Sequence, residues 1–302
     1  MKRIQTTDSV LMVRPVSFGY NEQTAINNSF QQKGFEKNAQ ECALQEFDSF
    51  VKLLIENDIN VEVVYDTIDP PTPDSIFPNN WFSTHPGTLV IYPMFAQNRR
   101  NERREDIIEL IKTKAHINNV IDLSNNEQKG KFLEGTGSLV LDRVNNIAYA
   151  CKSPRTDDDV LEEFASALDF EYIIFDAKDK DGGPIYHTNV MMCIGSEFAV
   201  VCLDSVVNID ERVSLIESLE EDGKEIVEIS LEQMENFAGN MLELVNSKGN
   251  HLLIMSERAK ESLNEDQIEK LESFCKIVSP DLTTIETNGG GSARCMIAEI
   301  FS

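Results

Sequence analysis

Gly289-Gly290-Gly291-Ser292-Ala293-Arg294-Cys295-Met296 lies a few residues before the end of a 302-residue chain. Three consecutive glycines let a backbone take positive φ or pass close to a ligand. A lone cysteine follows, and the stretch Met296 to Phe301 reads as a closing apolar strand. Taken alone, the octet fits a flexible turn with a buried core cysteine, because free cysteine is among the most buried residue types. Its meaning depends on what recurs upstream.

Similar breaks do recur. Asn240 opens NMLELV, a turn at 246–250 and HLLIM. His187 opens HTNVMMCI, a turn at 195–197 and FAVVCL. Glu134 opens EGTGSLVL, a turn at 143–146 and IAYAC. Asn80 opens NWFST, a turn at 85–87 and TLVIYPM. From Asn80 through Glu134, His187 and Asn240 to Cys295, the intervals are 54, 53, 53 and 55 residues. A fixed period of this size suggests a repeat architecture. Each unit reads as polar residue, hairpin, helix and a further strand. The last unit holds one hairpin strand, and Ser9 to Val16 at the other end of the chain is the natural supplier of the second. The expectation is an α/β fold: a five-fold pseudo-symmetric ring closed by the two terminal strands.

Between these breaks, 38–57 carries Leu44, Phe47, Val51 and Leu54 at helical spacing. Further helices are expected from about 98 to 115, over 159–168, over 209–221 and over 257–274. Strands are expected over 61–65, 171–176, 225–229, 276–279 and 283–286. No linker splits the chain, so one domain over 1–302 is expected. The net charge of −25 argues against nucleic acid, which demands a basic footprint. It also argues against anionic membranes. No run reaches the ~20 apolar residues of a membrane span, and the N-terminus has no signal-like apolar core. Six cysteines lie scattered without CxxC pairs, which argues against structural zinc and fits a reduced, cytoplasmic protein.

In a closed ring, the residue that opens each hairpin lies near the axis. Asn80, Glu134, His187 and Cys295 then converge. A histidine alone fits a satisfied core residue, and a glutamate alone fits a structural ion pair. At one position of a repeat, cysteine, histidine and carboxylate form a coherent set. The sulfur is the nucleophile, the imidazole moves protons near neutral pH, and the carboxylate fixes its tautomer. The loop Tyr20 to Asn28 is rich in asparagine, and Asn21 is a candidate ligand contact there. The run Asn98-Arg99-Arg100-Asn101-Glu102-Arg103-Arg104-Glu105 is the one basic cluster. Arginines at a helix start oppose its dipole, which leaves Arg99 or Arg100 for another use.

On FPNNW (77–81), LEGTGS (133–138), SPRT (153–156), YHTNV (186–190) and GGGSARCM (289–296), the chain resembles the pentein, or guanidino-group-modifying, superfamily. That superfamily includes arginine deiminases, dimethylarginine dimethylaminohydrolases and amidinotransferases. With the Asn21–Asn28 loop and the 98–105 run, the chain most resembles its bacterial citrulline-hydrolysing branch. The resemblance spans nearly the whole chain. It implies a five-bladed α/β propeller with a Cys–His–acid site on the axis. It implies Cys295 as nucleophile, His187 as acid/base and Glu134 as its partner. Arg155 would bind the substrate α-carboxylate, with Arg99 or Arg100 as a second contact. No cofactor or metal is implied. The expected partner is a small amino acid, and a homo-oligomer is compatible.

Two departures shape the substrate expectation. Guanidine-processing members carry aspartate where this chain has Asn80, and many carry another where it has Asn189. Carboxylates suit a guanidinium cation. Carboxamides offer donors and acceptors without charge and suit a neutral ureido group. The reading is a hydrolase that converts citrulline to ornithine, ammonia and carbon dioxide. The rivals are an arginine deiminase or amidinotransferase, and a non-enzymatic propeller such as a ribosome anti-association factor. The cysteine, histidine and glutamate together favour the enzyme.

Overall fold

The computed structural model describes residues 3–33 and 38–302. Its strands form five three-stranded sheets. The hairpin Phe82–His85 and Thr88–Ile91 extends in parallel to Asn119–Asp122. Val140–Asp142, Ile147–Cys151 and Glu171–Phe175 repeat the pattern. So do Met192–Ile194, Phe198–Val201 and Glu225–Glu228, and Leu242–Val245, His251–Ile254 and Lys276–Val278. Parallel neighbours require a crossover. The helices Glu105–Lys114, Asp158–Leu168 and Ile209–Glu221 lie in three of these crossovers.

The first sheet joins the two ends of the chain. Ser9–Arg14 pairs in parallel with Asn60–Tyr65 and antiparallel with Ala298–Glu299. Val10 faces Glu299, and Leu11 faces Ala298. Five like sheets fit the five-fold repeat read from the sequence. Strands such as Phe82–His85 and Met192–Ile194 are buried throughout, whereas Asn119–Asp122 is largely exposed. Helix Ala39–Glu56 buries Ala43, Phe47, Phe50 and Leu54 along one stripe. Among the described residues, no helix is long and apolar enough to cross a membrane.

Four local expectations are corrected. The helix expected over 257–274 is two helices, Glu257–Ser262 and Glu265–Glu272. Asn264 and Gln267 form a capping box that starts the second. The strand expected over 283–286 is a helix, Thr283–Gly289. Its first N–H groups are taken by a distant carboxylate: Thr284 and Ile285 donate to Glu46 at 2.7 and 3.0 Å. The helix expected from 98 begins at Glu105, and Arg99 and Arg100 lie in a separate 3-10 turn, Gln97–Glu102. The closing strand shortens to Ala298–Glu299, because Ala293–Met296 is itself a helical turn.

Candidate active site

A single helical turn stands just before the first strand of three hairpins, and another precedes the closing strand. These turns are Pro78–Asn80, Gly135–Ser138, Thr188–Met191 and Ala293–Met296. Residues read from the sequence as opening the hairpins directly are instead presented by these turns. Close packing of the turns needs glycine. A Cβ on Gly135, whose φ is +46°, would sit 2.3 Å from the Asn79 carbonyl oxygen.

Asn80, His187 and Cys295 line one narrow cavity of about 10 Å³. Arg155, Asp74 and Gly290 line it too. Glu134, fully buried, stands behind His187. The His187 Nε2 lies 2.8 Å from Glu134 Oε2, and Arg155 Nη1 donates to the same oxygen at 3.3 Å. Glu134 Oε1 accepts from the Phe95 N–H at 3.0 Å. Burial alone would raise the Glu134 carboxyl, but Arg155, His187 and Arg99 outweigh it and hold it well below the usual range. An ionised carboxylate only accepts, so Nε2 carries the proton and Nδ1 is the free base. Burial lowers the His187 imidazole to about 4, against the pull of Glu134. The ring is therefore neutral at pH 7.

Arg99 is buried. It binds Glu102 through Nε and Nη2, each at 2.9 Å, and donates to the Phe77 carbonyl at 3.0 Å. Its Nη1 donates to Asn80 Oδ1 at 2.7 Å. Arginine has no acceptor, so this bond fixes the Asn80 amide with Nδ2 turned away from Arg99. Nδ2 is buried and, among the described residues, has no hydrogen-bond partner. A Cβ on Gly137 would lie 2.5 Å from Asn80 Nδ2 and 2.8 Å from His187 Nδ1, so the two nitrogens border the same small space.

The other expected contacts divide. Arg155 lines the cavity, yet its Nε and Nη2 hold the loop above through Asn27 Oδ1 and the Thr24 carbonyl. Arg100 turns away, donating to the Met94 carbonyl at 3.1 Å and pairing with Glu127 at 3.3 Å. Arg99 also lines the cavity and orients Asn80 through Nη1, so of the two only Arg99 stands beside the space a substrate would enter. Asn21 donates to Asp74 Oδ2 at 2.8 Å and acts behind that carboxylate. Asn189 contacts the nucleophile candidate itself, with Nδ2 3.5 Å from Cys295 Sγ. Among the described residues, no group of three or more His, Cys, Asp or Glu is arranged to hold a metal.

The sequence model of the family described as N,N dimethylarginine dimethylhydrolase, eukaryotic, matches residues 14–302. The chain belongs to that family. It is thereby a member of the pentein superfamily of guanidino-modifying enzymes. No curated protein matches it by sequence. Among solved structures it is similar to ArgZ, an arginine dihydrolase from the ornithine–ammonia cycle in cyanobacteria. The identity is 18% and the TM-score 0.76, covering 97% of this chain and 40% of that one. The N-terminal domain of ArgZ bound to product gives 19% and 0.77, covering 97% of both chains. A dimethylarginine dimethylaminohydrolase adduct with S-methyl-L-thiocitrulline gives 13% and 0.67, covering 97% and 99%.

Within this family site, two residues carry more than the sequence reading gave them. Asp74 closes a proline-rich loop that read only as stiff. It is buried, Oδ2 accepts from Asn21 and Thr24, and Oδ1 has no partner among the described residues. Burial raises its carboxyl despite the nearby Arg99. Its signal was an aspartate six residues before Asn80, inside a loop too short to be a domain feature. Asn240 was placed in the repeat but given no role, and it lies 3.2 Å from Cys295 Sγ.

Proposed function

We propose that this protein is a cysteine hydrolase of a ureido amino acid, with citrulline as substrate and ornithine, ammonia and carbon dioxide as products. One observation carries the reading: Arg99 pins the Asn80 amide so that an unpartnered N–H donor borders the same space as His187 Nδ1. A ureido oxygen accepts such a donor. A guanidinium, which has only donors, does not.

Cys295 Sγ attacks the ureido carbon as His187 Nδ1 takes the thiol proton. Asn80 Nδ2 donates to the oxygen on which negative charge gathers. His187 returns the proton to the leaving amine, and the C–N bond breaks to leave a thiocarbamoyl group on Cys295. Water attacks that group, giving up a proton to the same imidazole, and the sulfur leaves and takes that proton back as the thiol. Across both halves one water is consumed, and the carbamate formed loses carbon dioxide. Glu134 holds the tautomer throughout. The unpartnered Asp74 oxygen suits the substrate α-ammonium. Arg155 suits its α-carboxylate once it gives up Asn27.

A second reading admits arginine itself. The carboxylates Asp74 and Glu134 near the cavity favour it, as does the likeness to an arginine dihydrolase. Mass-spectrometric identification of products from citrulline, arginine and methylated arginines separates the two. Ornithine from citrulline alone supports the first reading, and ornithine from arginine supports the second. We infer also that residues 1–302 form one domain whose five sheets close into a ring. The pairing of Val10 with Glu299 across the chain ends supports this.

A further inference from the structure

We propose that Asn240 is a catalytic residue of this site, the fixed hydrogen-bond donor that steadies the negative charge on the Cys295 sulfur as its proton passes to His187. The inference rests on the reading of Cys295 as nucleophile. It goes beyond that reading by naming what carries the sulfur's charge.

The orientation of Asn240 is not free. Its side chain is fully buried. Its Oδ1 accepts from the Arg294 backbone N–H at 3.1 Å. A backbone N–H cannot become an acceptor, so the amide nitrogen must face the other way. Nδ2 has two hydrogens and two acceptors: the Asn189 carbonyl at 2.9 Å and Cys295 Sγ at 3.2 Å. The turn that carries Asn240 is equally set. Phe237 adopts φ +64°, and the Asn240 N–H closes on its carbonyl at 2.8 Å. A Cβ on Gly239 would lie 2.3 Å from the Val190 carbonyl oxygen, so glycine there lets the turn sit against the turn beside His187.

Asn189 is different. Its Nδ2 and Oδ1 lie 3.5 and 3.9 Å from Sγ, so either end of the amide can face the sulfur. In the thiol form, S–H can donate to Oδ1 while Asn240 still donates to the sulfur. Once the proton has gone to His187, Asn189 can present its nitrogen as well, and the anion then has two donors. Hydrogen bonds to an ionised partner are roughly twice as strong as neutral ones. Among the described residues, the side chains hydrogen-bonded to Sγ are these two asparagines. The sulfur is thus prepared by carboxamides, while the imidazole serves as proton carrier.

The test is alkylation of the full-length protein with iodoacetamide at one fixed pH, read at the Cys295 peptide by mass spectrometry. Half-buried Cys42 is the control in the same sample. Asn240→Ala should slow Cys295 labelling about ten- to a hundredfold, the loss of one hydrogen bond to a charged group. Asn240→Asp keeps the shape but turns a carboxylate oxygen on the sulfur, and should slow it further. Cys42 labelling should not change. If Asn240→Asp fails to fold, Asn240→Ser keeps a small donor and should fall between wild type and Asn240→Ala. Wild-type rates in the variants would overturn the role of Asn240. A wild-type Cys295 that labels no faster than Cys42 would overturn the nucleophile reading itself, whichever substrate the enzyme takes.

Discussion

Glu134 Oε2 accepts from both His187 Nε2, at 2.8 Å, and Arg155 Nη1, at 3.3 Å, with all three side chains buried. The other carboxylate oxygen is taken by the Phe95 N–H. Three donors therefore converge on one acceptor-only group. Glu134→Gln has no arrangement that satisfies all three. Turning its nitrogen toward His187 moves the ring proton to Nδ1, which is the atom needed as base. We expect turnover to fall by a factor on the order of 10³–10⁴, as when a triad carboxylate is replaced by its amide. The check is kcat beside a near-UV circular dichroism spectrum. Full activity in a folded variant would remove Glu134 from the mechanism.

The neutral state of His187 carries a stability signature. Its folded value is about 4, lowered by burial from an ordinary 6.5. Between those values the unfolded chain binds the proton and the native protein does not, so stability falls as pH drops from about 6.5 to about 4. His85, also pushed down by burial, acts in the same direction. We expect Tm to fall between pH 7 and pH 5, and His187→Gln to fall less over that window. Equal pH slopes for wild type and variant would show that His187 is not held neutral.

The period was legible because a polar or reactive residue recurs ahead of each hairpin, and Asn80, Glu134, His187 and Cys295 mark it. The helical turns were not legible: Gly135–Ser138 is four residues long, and one turn has no periodicity to read. Helix Thr283–Gly289 looked like a strand because Thr283, Thr284 and Ile285 are β-branched. What makes it a helix is Glu46, 238 residues away, on its first N–H groups. Arg99 shows the same limit. Its partner Glu102 was visible three residues on, but its bond to Asn80 depends on the fold. The break at Asn264 was legible in principle, since Asn264 and Gln267 are a capping-box pair.

Among the described residues, Cys295 is the one sulfur-bearing residue on the cavity lining. Cys295→Ser is close in size, and it should retain the fold while losing activity on the order of 10⁴-fold or more, as for members of a catalytic unit. His187→Ala should be similarly inactive. Rapid mixing with substrate followed by intact-mass measurement should reveal a covalent adduct in wild type and none in Cys295→Ser. A serine variant of near-native rate would remove Cys295 as the nucleophile.

We propose that the Asn80 amide decides the charge of the substrate. With Oδ1 held by Arg99, position 80 offers a donor to the reacting group. Asn80→Asp turns that donor into an acceptor and adds a negative charge beside His187 and Glu134. A ureido oxygen would then face a carboxylate oxygen, whereas a guanidinium would gain a charged partner. Burying a charge without its partner costs several kcal/mol, and each ~1.4 kcal/mol is tenfold. We therefore expect wild type to prefer citrulline over arginine by about a hundredfold or more in kcat/KM. Asn80→Asp should lose most citrulline turnover and narrow or reverse that ratio. Arg99→Met should weaken citrulline turnover too, because the amide is then free to turn. Equal wild-type values for the two substrates would defeat the charge argument and place arginine in the site from the start.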